Sequence, residues 1–411
     1  MSSKFIYVIY FVLALVVNLQ CKASEVNRQF QVNDAGKDSS KVNFYLLTCS
    51  IGDDIHTIYG HSAIRMCDAE NGVDYVFNYG TFDFDTPFFV IKFLNGNLDY
   101  MLSVSSFNGF FRRYQRDGIR VIQRPLILSS LETEELTAFL INNYKPQNRF
   151  YRYDFFFDNC ATRIRDAVFC VKGLKASNFN QGSEFTFREC LHSMVGPDLW
   201  VGQGIDLLLG YKTDHEASVY EQAMLPVFLE KLLVSQNLVG EPTVLIEGSA
   251  ESFDVINASE DDVNNQKYKP LAPFFISLLL FLLVLIGSVM EFVKHRWFRW
   301  IDVTLFSITA LLSLLFWYMW VISDIQATSF NLNVLWASLF SFPLIVIASR
   351  GAFKYPKVVL SMTFFNILTI IAYLVIIISG VQSGTYLGVS LSLCLLIRNS
   401  KLLLNSLNIK A

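Results

Sequence analysis

The chain has 411 residues, which allows two or three units at roughly 100–200 residues each. Apolar types make up 53% of it, above the roughly 45–50% of soluble proteins. The formal net charge of −3 speaks against a nucleic-acid binder and against an acidic interaction tail.

At the start, Lys4 precedes an apolar run over residues 5–17, and Cys21-Lys22-Ala23 stands before Ser24. That is the layout of a secretory signal peptide, with cleavage expected after Ala23, so residues 1–23 would be removed. Export makes disulfides possible. Cys49, Cys67, Cys160, Cys170 and Cys190 are an odd set in the exported part, so at least one is a free thiol or pairs between chains.

Residues 43–49 alternate and read as a strand. Strands over 61–66 and 75–79 flank a turn at 68–74 that contains Asn71-Gly72. Residues 88–94 read as helical and 98–104 as a strand. Ser106 is placed to cap a helix over 106–115, and 119–128 reads as another strand. Ser129-Ser130-Leu131-Glu132 opens a helix running to about Tyr144, with glutamates in its first turn. Asp158-Asn159-Cys160 begins a further helix. The exported domain, residues 24–250, is therefore expected to be α+β, an antiparallel sheet with helices packed on it. Residues 251–270 read as a polar, acidic linker.

Beyond Lys269 charges become sparse. Apolar runs at 271–292, 301–322, 334–349, 358–379 and, more weakly, 386–397 suggest five spans of a core ~30 Å thick. Lys294, Arg296 and Arg299 follow the first run, Arg350, Lys354 and Lys357 the third, and Arg398, Lys401 and Lys410 the fifth. The alternate loops, 323–333 and 380–385, carry no Lys or Arg. Positive loops stay cytoplasmic, so the C-terminus is expected inside and residues 24–270 outside. Asp302 and Asp324, at span ends, read as charges in interfacial water; one facing the bundle would be a functional candidate. Trp317, Trp320 and Trp336 read as an aromatic belt or as a platform for a lipid head group.

Cys160 is the sharpest candidate for chemistry. At a helix start, the dipole and free N–H groups favour the thiolate, which is the nucleophile. The other reading is a disulfide partner or a buried structural cysteine. His61 follows Gly60 at a strand start and shares a hairpin with Asn78. Residues on adjacent antiparallel strands can face the same side, so Asn78 could orient His61 as a base for Cys160. Asp83 and Asp85 are weaker orienters, and His56 and His192 weaker bases. Asp53, Asp54, His56 and His61 could be assembled into a metal site, but they match no strong ligand spacing. Tyr153, in the aromatic run 150–157, is expected to wall the substrate site with Asp158 and Asn159. Arg163 and Arg165 suit a phosphate, or else pair on the surface.

Several motifs in one order resemble a known family. They are Thr48-Cys49-Ser50, Tyr59-Gly60-His61-Ser62, Phe77-Asn78-Tyr79-Gly80-Thr81-Phe82-Asp83-Phe84, Leu98-Asp99-Tyr100-Met101-Leu102 and Tyr151-Arg152-Tyr153-Asp154-Phe155-Phe156-Phe157-Asp158-Asn159-Cys160-Ala161-Thr162-Arg163. Together with the signal and membrane segments, they are similar to the Lnb family of lipoprotein N-acyltransferases of Bacteroidetes. The resemblance covers about residues 40–170. It implies a circularly permuted papain-like domain in which the histidine precedes the cysteine, followed by a transmembrane bundle. It further implies a multi-pass protein of the bacterial inner membrane whose catalytic domain faces the periplasm. The activity implied is transfer of a fatty acyl chain from a phospholipid to the α-amino group of a diacylglyceryl-cysteine lipoprotein, through a thioester on Cys160. No cofactor, metal or nucleic acid is expected. The rival readings are a papain-like cell-wall peptidase or amidase, and a non-enzymatic envelope sensor or scaffold.

Overall fold

The computed structural model describes residues 42–52, 54, 57–83, 85–180, 182–248, 272–350 and 356–408. The predicted signal peptide and the predicted linker lie outside the described residues, as do Asp53 and His56. The described residues divide into two compact units. The first comprises 42–49, 61–175 and 229–248; the second comprises the described parts of 50–60, 176–228 and 272–408.

The first unit is built on a seven-stranded sheet. Its strands are β1 (Asn43–Cys49), β2 (His61–Asp68), β3 (Val73–Thr81), β4 (Asp99–Ser106), β5 (Val121–Pro125), β6 (Phe150–Arg152) and β7 (Thr243–Ile246). Their order across the sheet is β6-β4-β3-β2-β1-β5-β7, and every pairing is antiparallel. Helices α1 (Phe89–Leu94), α2 (Phe107–Arg116), α3 (Ser130–Tyr144) and α4 (Cys160–Val171) accompany the sheet, together with most of a further helix, Pro226–Ser235.

Local chemistry sets these boundaries. Ser106 accepts from the Gly109 N–H at 3.2 Å and starts α2. Ser129 and Glu132 cap α3 reciprocally: the Glu132 N–H donates to Ser129 Oγ at 3.3 Å and the Ser129 N–H to Glu132 Oε2 at 2.7 Å. The register places Cys49 opposite His61 and Leu47 opposite Ala63. Because side chains alternate with period two, these four share a face. Phe110 of α2 joins Leu47, Cys49, Ala63, Val76, Ile119 and Val121 in one buried cluster there. α4 packs on β2 and β3 through a stem that includes the fully buried Ala161, Ile164, Ala167 and Val168.

In the second unit, four helices are long and apolar enough to cross a membrane: α5 (Ala272–Lys294), α6 (Arg299–Val321), α8 (Pro356–Ile378) and α9 (Tyr386–Asn408). Between α6 and α8, α7 (Ser341–Arg350) has only ten residues. Here the weak member of the five differs from the expected one. The third apolar run is broken, because Leu332–Leu335 forms a 3-10 turn and Pro343 sits in the first turn of α7, where its missing N–H is harmless. The non-helical stretch buries Asn331, Asn333 and Trp336 within protein. Trp336 is wholly buried and donates to Asn333 at 2.8 Å, so it is a core residue and not part of a belt.

The fifth run is a complete 23-residue helix, not a partial span ending at 397. Arg398 belongs inside it because its charge is met. It donates to Asp302 at 2.6 and 2.7 Å, to Glu291 at 2.5 and 3.1 Å, and to Ser288 at 2.9 Å. Asp302 therefore faces the bundle, fully buried, instead of interfacial water. Lys401 also reaches Glu291, at 2.5 Å. Arg398 and Lys401 thus lie at the same end of the bundle as the 294–299 connection, and the charge asymmetry that orients the spans is unaffected.

Residues 176–228 pack with the bundle in this second unit. Arg188 is held by Asp206 at 2.7 Å and Asp214 at 2.9 Å. Asp214 also accepts from Ser383 at 2.6 Å, and Asp198 accepts from Tyr386 at 2.5 Å. Gly210 is obligatory, since a Cβ there would lie 1.8 Å from the Ser329 carbonyl oxygen.

Candidate active site

Every residue of the candidate site lies in the first unit. Asn159 caps α4: its Oδ1 accepts from the Ala161 N–H at 2.8 Å and the Thr162 N–H at 2.9 Å. Its Nδ2 donates to the Phe155 carbonyl at 2.7 Å, which ties the preceding loop to the helix. Cys160 follows as the first helical residue, 8% exposed. All six described cysteines are free thiols, Cys160 among them.

The surroundings of this sulfur differ from those expected of a resting thiolate. Burial pushes the Cys160 thiol above its ordinary range, against the opposing pull of the backbone N–H groups of Ser62, Ala161 and Cys160 itself. Desolvation therefore wins, and the resting group is the neutral thiol. The Ser62 N–H belongs to the residue next to His61, which brings the start of β2 to the start of α4. The Ser62 hydroxyl is buried with no hydrogen-bond partner among the described residues.

His61 is partly buried at the first position of β2. Its Nε2 lies 3.4 Å from Asn78 Oδ1. The Asn78 amide is turned that way because its Nδ2 donates to the Val76 carbonyl at 3.2 Å and to Ser105 Oγ at 3.5 Å. With Nε2–H donating to Asn78, Nδ1 keeps the lone pair that a base needs. Burial lowers the imidazole to about 4, partly countered by the Asn78 contact and reinforced by the positive charge of Arg113. At neutral pH the histidine is thus uncharged and able to accept a proton.

Four further residues gather at this site that residue type and spacing alone do not single out. Gly80 stands at the irregularity in the β3–β4 pairing, between Asn78 and Thr81, with φ of 85°. A side chain there would be strained and would lie 3.8 Å from Cys160 Cβ and 3.5 Å from the Tyr153 ring. Cys49 and Tyr114 are bonded to one another, and both are within electrostatic reach of Cys160. Arg113, one residue from Tyr114, supplies the positive field at His61. Only a signal of three-dimensional pairing would have found this group, since it comes from β1, β3 and α2.

The other anticipated residues sort themselves by their partners. Tyr153 flanks the sulfur through Gly80, and its ring stacks on Tyr100 with centroids 4.3 Å apart. Asp158 and Arg163 form a two-pronged pair at 2.5 and 2.7 Å, and the Arg163 guanidinium lies 3.6 Å over the Tyr151 ring. Arg165 is buried and paired with Asp166 at 2.8 Å. Asp158, Asn159, Arg163 and Arg165 thus shape the loop and helix that present Cys160. His192 lies in the second unit, against Asp206 at 2.9 Å.

Comparison with known proteins identifies both halves of the chain. Residues 29–192 match the family model of the Lnb N-terminal periplasmic domain, and residues 264–409 match that of the Lnb transmembrane domain. No curated protein and no solved structure matches the chain. The protein is therefore a membrane protein with a periplasmic domain, and with both halves matched in the order in which it carries them, the chain belongs to the Lnb family.

Proposed function

We propose that this protein is a lipoprotein N-acyltransferase of the bacterial inner membrane, using Cys160 as nucleophile and His61 as base. The observation that carries the reading is a free thiol at a helix start, set against the backbone N–H of the residue that follows a neutral, Asn78-oriented histidine.

The chemistry follows from two neutral groups. His61 takes the thiol proton as the sulfur attacks the ester carbonyl of a phospholipid. The Cys160 backbone N–H, at the start of α4, meets the charge that develops on the carbonyl oxygen. The ester C–O bond breaks, the lysophospholipid leaves with the proton from His61, and the acyl chain remains as a thioester on Cys160. The α-amine of a diacylglyceryl-cysteine lipoprotein then attacks the thioester and gives its proton to His61. The C–S bond breaks, and the thiolate recovers its proton from the imidazolium. Donor and acceptor are both anchored in a bilayer, and a membrane-tethered enzyme meets them at raised effective concentration.

Mass spectrometry of lipoprotein N-terminal peptides tests this. Cells with no other such enzyme should carry N-acylated lipoproteins when they express the wild type, and only the free-amine form when they express Cys160→Ala. N-acylation that persists in Cys160→Ala would sink the assignment of the nucleophile. Release of free fatty acid without N-acylation would make the protein a hydrolase instead.

A further inference from the structure

Helix α1 is unlike the other helices of the first unit: none of its six residues is buried. Phe88, Val90, Ile91 and Phe93 are exposed, Phe88 by 78% and Ile91 by 54%. Phe88 precedes the helix with φ of 59° and without a side-chain cap. A bulky residue in that left-handed region is strained, and strain of this kind gathers at sites that do something. Lys92 is the only charged residue of the helix.

The exposed helix is also the outer end of a continuous series of rings. Phe93 stacks on Phe89 with centroids 6.2 Å apart, and Phe89 on Phe82 at 5.9 Å. Phe82 meets Tyr100 at 5.1 Å, and Tyr100 stacks on Tyr153 at 4.3 Å. Tyr153 and Cys160 both close on the same face of Gly80, at 3.5 and 3.8 Å from where a Cβ would stand. The ring contacts thus run without a break from the helix exterior to the residues beside Cys160.

We propose that α1 seats in the hydrocarbon edge of the membrane and admits a phospholipid acyl chain along these rings to Cys160. Three features favour acyl chains over a protein partner. The exposed side chains are aliphatic and aromatic and offer no directional hydrogen-bond groups to a partner's backbone. Short elements that combine bulky apolar side chains with a lysine suit the bilayer interface. The chain is itself anchored in a membrane, so hydrocarbon is always within its neighbourhood. The destination of the acyl chain rests on the acyltransferase reading; the insertion of α1 does not.

Photocrosslinking separates the two. The full-length protein in native membranes carries p-benzoylphenylalanine in place of Phe88 or, as a control, of the exposed Glu135 on α3. Phospholipid adducts should form at position 88 at least tenfold more than at 135, and equally in a Cys160→Ala background. Adducts equal at both positions, or adducts at 88 to protein instead of lipid, would overturn the proposal. A second variant, Ile91→Asp, should lower the ratio of acylation by membrane phospholipid to acylation by a water-soluble short-chain ester at least tenfold. An unchanged ratio would equally overturn it. Lipid adducts at 88 in a protein that transfers no acyl chain would refute the acyltransferase reading alone.

Discussion

Two buried polar clusters, one in each unit, are treated in opposite ways. In the bundle, Arg398, Glu291 and Asp302 are charged and almost wholly buried, and each is met by a partner at 2.5–2.7 Å, with Ser288 and Trp297 adding hydrogen bonds. At the candidate site, the buried groups are held neutral and incompletely paired: a thiol raised by burial, an imidazole lowered by burial, and a serine hydroxyl without a partner. The contrast teaches a rule about low-dielectric surroundings. Where charge is fully matched it fixes structure, and where polar groups are left short of partners the surplus is available to a reacting carbonyl.

The contrast can be broken most forcefully from the bundle side. Arg398→Met should destabilise the protein by about 3–5 kcal/mol, because it leaves two carboxylates buried without their guanidinium. Adding Glu291→Gln and Asp302→Asn should recover most of that loss, as read by thermal unfolding in nanodiscs. If the single substitution is silent, the clasp is not structural.

The site side is sharpened by pH. His61 is harder to protonate in the folded protein, near 4, than in the unfolded chain, near 6.5. The unfolded state therefore binds the extra proton between these values, and stability falls as pH drops from 6.5 to 4. The total is about 3 kcal/mol. Hydrogen exchange of β2 amides in the full-length protein should show this slope, and His61→Gln should flatten it. A wild-type profile no steeper than that of the variant would mean that the imidazole is not desolvated.

The smallest effect concerns presentation of the nucleophile. Asn159→Ala removes the acceptor for two helix N–H groups and should cost about 1–2 kcal/mol. It should also change the alkylation rate of Cys160 at fixed pH. An unaltered rate with lowered stability would confine Asn159 to folding.

Much of the first unit is legible in the amino-acid sequence because its signals are local. Alternation marks β1 to β3, Asn71-Gly72 marks their turn, and Ser106, Ser129 and Asn159 mark three helix starts. The candidates Cys160 and His61 stand out in the sequence for the same reason, since each stands at an element boundary. What sequence reasoning misses is set by contacts distant in the chain. Gly80 matters only because α4 comes to rest beside it. The protonation of Cys160 is decided by burial, which a helix start alone does not reveal. The two-pronged pairing of Arg163 with Asp158 depends on how the loop folds back on the helix, which residue spacing does not show. Arg398 looks like a loop charge until two carboxylates from other helices surround it.

That guanidinium also has a meaning for biogenesis. Glu291 enters the nascent chain 107 positions before Arg398 does. Until α9 emerges and inserts, the first two spans hold acidic side chains with no counter-ion, a state costly in hydrocarbon. Assembly is thereby made conditional on translation through α9, and a chain cut short before it carries its own mark for quality control.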